Sequence, residues 1–191
     1  MALRLAFLRA LPALEDCARL EAFLSYRLAP VLGGIKPAEI LSLCRSEGVL
    51  FSAWHFCGEE LLEAWGLKAL CLREGPHGSC IVVYNGGTLA ENLAIPPAKE
   101  FLDSLGYPTA HSVEDMWTEL GRRFKEACPH ELGLFLGIPW GDVRGFIEQK
   151  GKNYLFAGYW KVYEQPARAK ASFKAYDHLK DAAIRRWLGN G

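Results

Sequence analysis

The sequence contains no run of about 18 apolar residues, so no segment of it is long enough to cross a membrane as a helix. It has no excess of charge of either sign. The 22 Lys plus Arg balance 22 Asp plus Glu, which removes the overall positive potential that nucleic-acid binding usually needs. Its six cysteines, Cys17, Cys44, Cys57, Cys71, Cys80 and Cys128, never stand at C-x-x-C spacing, so neither a redox pair nor a zinc knuckle is spelled out. Scattered among apolar neighbours, they are expected to be reduced thiols of a cytoplasmic protein. The apolar stretch Met1 to Leu11 is broken by Arg4 and Arg9 and is followed by no small-residue cleavage site, so it is not expected to direct export. A G-x-S-x-G elbow and a Walker loop are also missing. His130-Glu131 begins an H-E-x-x-H pattern, but Leu134 occupies the place of its second histidine.

What is present is the composition of a globular protein. Half of the 191 residues are apolar and 23% are charged, and a chain of this length buries roughly 70% of its unfolded surface as one domain, here expected to span residues 1–191. From Leu14 to Leu28, Leu14, Cys17, Leu20, Leu24 and Leu28 keep the spacing of one helical face, and Pro30 supplies the stop. Pro37, with Glu39 in the following turn, predicts a second helix to about Arg45. Trp54, Cys57, Leu61, Leu62 and Trp65 predict a third, ending at Gly66, and Pro96-Pro97 opens a short one toward Gly106. The strongest helix signal is the capping-box pair Ser112 and Asp115, ahead of Val113, Met116, Trp117, Leu120, Phe124 and Ala127. Pro166 opens a terminal helix carrying Ala169, Phe173, Tyr176, Ala183 and Trp187.

Elsewhere the period changes. Leu67 to Arg73 and Cys80 to Tyr84 are strand-like runs flanking Glu74-Gly75-Pro76-His77-Gly78, which predicts a β-hairpin closed off at Asn85-Gly86-Gly87. Glu131 to Gly137 and Tyr154 to Tyr163 read as strands around a short helix, Trp140 to Lys150, the size of a right-handed β-α-β unit. Together these elements predict an α+β fold: a mixed, roughly four-stranded sheet, made of the hairpin and the C-terminal β-α-β unit, packed with several helices.

Three segments, APVLGGIKP at 29–37, PHELGLFLGIP at 129–139 and GYWKVY at 158–163, resemble a bacterial family catalogued as a domain of unknown function, family 3793. Asp142-Val143, Gly145-Phe146-Ile147 and Lys150 to Tyr154 add to the resemblance, and Cys128 departs from the aromatic residue it implies there. The resemblance implies a cytoplasmic bacterial protein and carries over no catalytic residue. The setting of relatives beside iron-uptake and flavodoxin genes adds an iron- or tetrapyrrole-related accessory role as one reading.

Residues of functional type stand inside these segments. Lys36, beside Gly33-Gly34 and ahead of Pro37, has the makings of an anion site, although a tight turn with a solvated lysine uses the same residues. His130 and Glu131 can share a proton or bind a metal, or they can satisfy backbone groups at the turn between helix and strand. Cys128 and His130 offer a thiolate and an imidazole to a metal or haem iron, without a second ligand cluster. Gly133, Gly137, Gly141 and Gly145 recur every fourth residue, a spacing better suited to close packing than to any phosphate-loop pattern. Tyr159, Lys161 and Tyr163 share a strand face, which puts the lysine either in solvent or in a pocket between phenols.

The leading expectation is therefore a small-ligand-binding or enzymatic domain with a polar site built from Lys36, His130, Glu131, Tyr159 and Lys161, its cofactor unspecified. The alternative is a non-enzymatic protein-interaction or regulatory module, with six tryptophans and seven tyrosines supplying exposed anchors. The expected partner is a small molecule or a protein, with no membrane and no nucleic acid.

Overall fold

A computed structural model describes residues 2–125 and 127–189. Its architecture is α+β, as expected from the sequence, and its internal packing divides it into two units. The described residues of 1–35, 39–85 and 174–191 form the first unit, and those of 36–38 and 86–173 form the second. Among the described residues no helix is long and apolar enough to cross a membrane.

In the first unit, α1 (Ala2–Ala10) places Phe7 in a small core with Leu11, Ala22, Tyr26 and Ile184. The helix predicted between Leu14 and Leu28 is α2 (Asp16–Arg27), and Leu20, Leu24 and Leu28 are fully buried at four-residue spacing. Each such leucine contributes about 1.5–3 kcal/mol by leaving water. Pro30 does not simply stop the chain but lies in the first turn of the short α3 (Ala29–Leu32), where its missing N–H costs nothing. The helix expected from Pro37 to about Arg45 is instead β1 (Ala38–Cys44). There Leu41 and Leu43 are buried while Ser42 and Cys44 are exposed, so alternation with a period of two overrides the proline signal. Next comes α4 (Val49–Ala64), which buries Ala53, Cys57 and Leu62.

The predicted hairpin forms as β2 (Lys68–Gly75) and β3 (Gly78–Tyr84), paired antiparallel from Lys68↔Tyr84 to Gly75↔Gly78 with a bulge between Cys71 and Arg73. The sheet order is β1-β3-β2, so β3 is central, which accounts for its unbroken buried run Ile81-Val82-Val83-Tyr84. Gly78 is required where it stands. Its φ is +147°, and a Cβ there would meet the Leu43 carbonyl oxygen at 2.1 Å. The expectation of six reduced thiols is corrected by a disulfide between Cys17 of α2 and Cys57 of α4. The two helices bring their Cα atoms to 6.2 Å, within bridging range, across a 40-residue separation that no local spacing reveals.

The main stretch of the second unit begins with α5 (Gly86–Leu93), a helix begun by the same glycines that close the hairpin. It continues with α6 (Pro96–Ser104) and α7 (Val113–Phe124). The capping box is formed: the Asp115 N–H donates to Ser112 Oγ at 3.1 Å, and the Ser112 N–H donates to Asp115 Oδ2 at 3.2 Å. The strand expected over Glu131 to Gly137 is a single helical turn, α8 (Leu132–Phe135). Leu132, Leu134 and Phe135 are all buried there, and a short run buried on every side carries no period that separates strand from helix. Trp117 and Phe135 pack with tilted rings, 4.7 Å between centroids, in the core of this unit.

The predicted short helix is α9 (Trp140–Glu148). The second predicted strand folds back on itself as a small antiparallel ribbon, β4 (Phe156–Ala157) and β5 (Lys161–Val162), with the turn at Gly158. The expected β-α-β unit is therefore absent among the described residues. The sheet is not one mixed set of four strands but a three-stranded sheet in the first unit and a two-stranded ribbon in the second. The terminal helix, α10 (Pro166–Trp187), begins where Pro166 predicts it.

Candidate functional site

A cavity of about 280 Å3 opens in the second unit between α8, α9 and the β4–β5 ribbon. Its floor is apolar, made by Leu132, Leu136, Ile138, Val143 and Phe146. Cys128, His130, Tyr159, Trp160 and Lys161 line the rest.

The ribbon is held in place by Asp142, which lies in the first turn of α9 and is only 2% exposed. Its Oδ2 accepts the Trp160 indole N–H at 2.7 Å, and its Oδ1 accepts the backbone N–H groups of Tyr163 at 2.7 Å and Glu164 at 2.9 Å. Three donors satisfy one buried carboxylate, which makes these bonds strong and directional. An Arg144–Glu164 ion pair at 2.5 Å ties the same elements at the surface. The ring of Tyr163 packs on Gly145, where a Cβ would stand 2.5 Å from it. Burial, then the neighbouring Tyr154 and Asp142, pushes the Tyr163 phenol pKa up. The four-residue glycine spacing thus serves close packing, with Gly133 against Val143 and Gly141 against Glu164 as further instances.

Lys161 is half-buried rather than solvated. Its ammonium donates to the Gly151 carbonyl at 2.8 Å and lies 4.9 Å from the Tyr154 ring centre and 5.8 Å from that of Phe146. A lysine flanked by aromatic faces is favourably placed for cation–π attraction. A solvated sheet face is the default for a lysine at this strand position, but here the flanking rings are Tyr154 and Phe146, not Tyr159 and Tyr163. His130 is exposed at the rim, with its ring edge-on to Phe146 at 5.2 Å. Tyr159 lies on the rim against Phe173 at 5.4 Å.

Glu131 and Lys36 do not join them. Glu131 is buried on the other side of its turn, where it accepts a hydrogen bond from Tyr107 Oη at 3.0 Å and faces Arg123 Nη1 at 3.6 Å. Burial and then the Glu131 charge drive the Tyr107 pKa far upward, so the phenol stays a donor. Lys36 is not part of the cavity lining. Cys128 and His130 both reach the rim, but among the described residues no three His, Cys, Asp or Glu side chains gather around one point as a metal site requires.

The structure thus unites His130, Tyr159 and Lys161, separates Glu131 and Lys36 from them, and adds Asp142, Phe146 and Tyr154. Asp142 has one local signal, an acid in the first turn after Pro139, but its partners lie about twenty residues further along the chain. A family model described as "Protein of unknown function (DUF3793)" matches residues 24–190, the family that the segments at 29–37, 129–139 and 158–163 resemble. No curated protein and no solved structure matches the chain.

Proposed function

The chain belongs to the DUF3793 family, and we propose that it is a small-ligand-binding domain whose site is the cavity of the second unit. The observation that carries this reading is the convergence of His130, Tyr159 and Lys161 on one largely apolar hollow. A few polar groups set into an apolar wall are the usual make-up of a small-molecule site, and about 280 Å3 lies just below the roughly 300–1,000 Å3 such sites usually occupy. Support for a bacterial cytoplasmic setting comes from the family resemblance, and the balanced charge disfavours nucleic acid as a partner.

The test is mass spectrometry of small molecules that co-purify with the wild-type chain and with Leu136→Trp, which fills the cavity from a half-buried position. A ligand carried by the wild type and lost from the folded variant is the expected result. Equal recovery from both places the ligand elsewhere. His130→Ala, made at an exposed residue, is expected to leave the melting temperature within a degree or two and to reduce the ligand-induced rise in it. One observation favours a protein-interaction module instead: Phe56 on α4 of the first unit is 88% exposed. Self-association lost on Phe56→Ser, followed by light scattering, checks that second reading.

A further inference from the structure

We propose that the ligand of this cavity is a small amphipathic anion, an apolar body seated on Leu132, Leu136, Val143 and Phe146 with a carboxylate head held by Lys161 and His130. The inference rests on the ligand-binding reading and goes beyond it by assigning the charge and shape of the ligand.

Charge is the first ground. An ammonium has three protons to donate, and Lys161 gives one to the Gly151 carbonyl. Among the described residues its charge meets no carboxylate within ion-pair distance, although it is half-buried between two aromatic rings. A cation withdrawn from water in this way is stabilised by a counter-charge. Among the described residues neither of the two nearby acids pairs with it directly. Asp142 lines the cavity, but both its oxygens are engaged by Trp160 and by the backbone of Tyr163 and Glu164. Glu131, next to His130 in sequence, turns to Tyr107 and Arg123.

Donor geometry is the second ground. Whichever tautomer His130 adopts, its imidazole carries an N–H, and among the described residues the ring has a contact with Phe146 and no hydrogen-bond partner. Phe146 touches both groups, its ring lying edge-on to His130 and 5.8 Å from the Lys161 ammonium, so the two donors flank one side chain of the cavity floor. A two-oxygen acceptor matches that pair. Size is the third ground. A volume of about 280 Å3 has room for several waters at about 30 Å3 each, so it suits a small organic molecule better than a bare inorganic anion.

The experiment titrates the full chain near neutral pH with octanoate, 1-octanol and octylammonium, following calorimetric heat and the amide resonances of the lining residues. Octanoate is expected to bind at least about ten-fold more tightly than octanol, the margin of a charged hydrogen bond. Lys161→Met is expected to bind octanoate and octanol alike, with the octanol affinity unchanged, and Lys161→Arg to keep the preference for the acid. Should the methionine variant fail to fold, the wild-type series and the arginine variant still decide. Equal binding of octanoate and octanol, or a preference for octylammonium, overturns the anion assignment and leaves the binding reading standing. No binding of any of the three, with no resonance shift at the cavity, overturns the binding reading and this assignment together.

Discussion

On the first unit, two hollows of about 600 and 760 Å3 are larger than the 280 Å3 cavity of the second. The first has Glu21 and Arg186 in its wall, and the other has Glu59, Glu63 and Lys68. Charged side chains at a wide mouth keep their hydration, and a ligand entering there displaces water that is already well bound. The cavity of the second unit is smaller, but its floor is hydrocarbon and the Lys161 ammonium is held in place by a carbonyl and two rings. Volume alone is therefore a poor guide to a site. The units are also held together differently. A covalent link between α2 and α4 staples the first, whereas the second relies on buried carboxylates, Asp142 on the ribbon and Glu131 on Tyr107.

The largest test of that contrast is the disulfide. Closing a 40-residue loop is worth about 4 kcal/mol by chain entropy, so Cys17→Ser or reduction is expected to lower unfolding stability by up to that amount, read from the denaturant midpoint. Amide exchange is expected to quicken in α2 and α4 more than in α8 and α9. Four titratable thiols in the unfolded, unreduced protein are expected from the four remaining cysteines, Cys44, Cys71, Cys80 and Cys128. Six thiols in freshly isolated protein would remove the covalent half of the contrast.

Next in size is Asp142→Ala, which strands the Trp160 indole and two backbone N–H groups and is expected to cost about 3 kcal/mol. Its effect on exchange is expected in residues 154–164, the reverse of the disulfide pattern. The smallest effect concerns Glu119, half-buried in the middle of α7. Hydrogen bonds from Arg122 and then Arg123 hold its carboxyl down to about 2. A depressed acid adds stability above its unfolded value near 4.5, and that contribution is lost as pH falls toward 2. Glu119→Gln is expected to flatten the fall in melting temperature over that window, and an unchanged pH profile would show that solvent already screens the pair.

Legibility followed the kind of signal each segment carries. Ser112, Asp115 and the apolar spacing after them specify α7 locally, and the turn formers at 74–78 specify the hairpin, so both were readable. Leu132-Gly133-Leu134-Phe135-Leu136 was not, because side chains buried on all sides show no polar face to mark a period. At 38–44 the proline before the segment competed with a strand alternation only seven residues long. Within the site, His130, Tyr159 and Lys161 were visible as residue types suited to binding. The parts of Asp142, Phe146 and Tyr154 depend on partners brought close only by the turn at Gly158 and the return of the chain toward α9.

By itself the sequence determined the α+β class, the helices α2, α4, α6, α7, α9 and α10, the hairpin, and the family, because each is encoded by period, caps, turn residues or contiguous motif. Only the tertiary structure decided that Cys17 meets Cys57, that Glu131 turns away from His130, and that Lys161 stands between two rings. No local spacing marks these pairings, and their energies depend on distance and burial, quantities that a linear pattern does not contain.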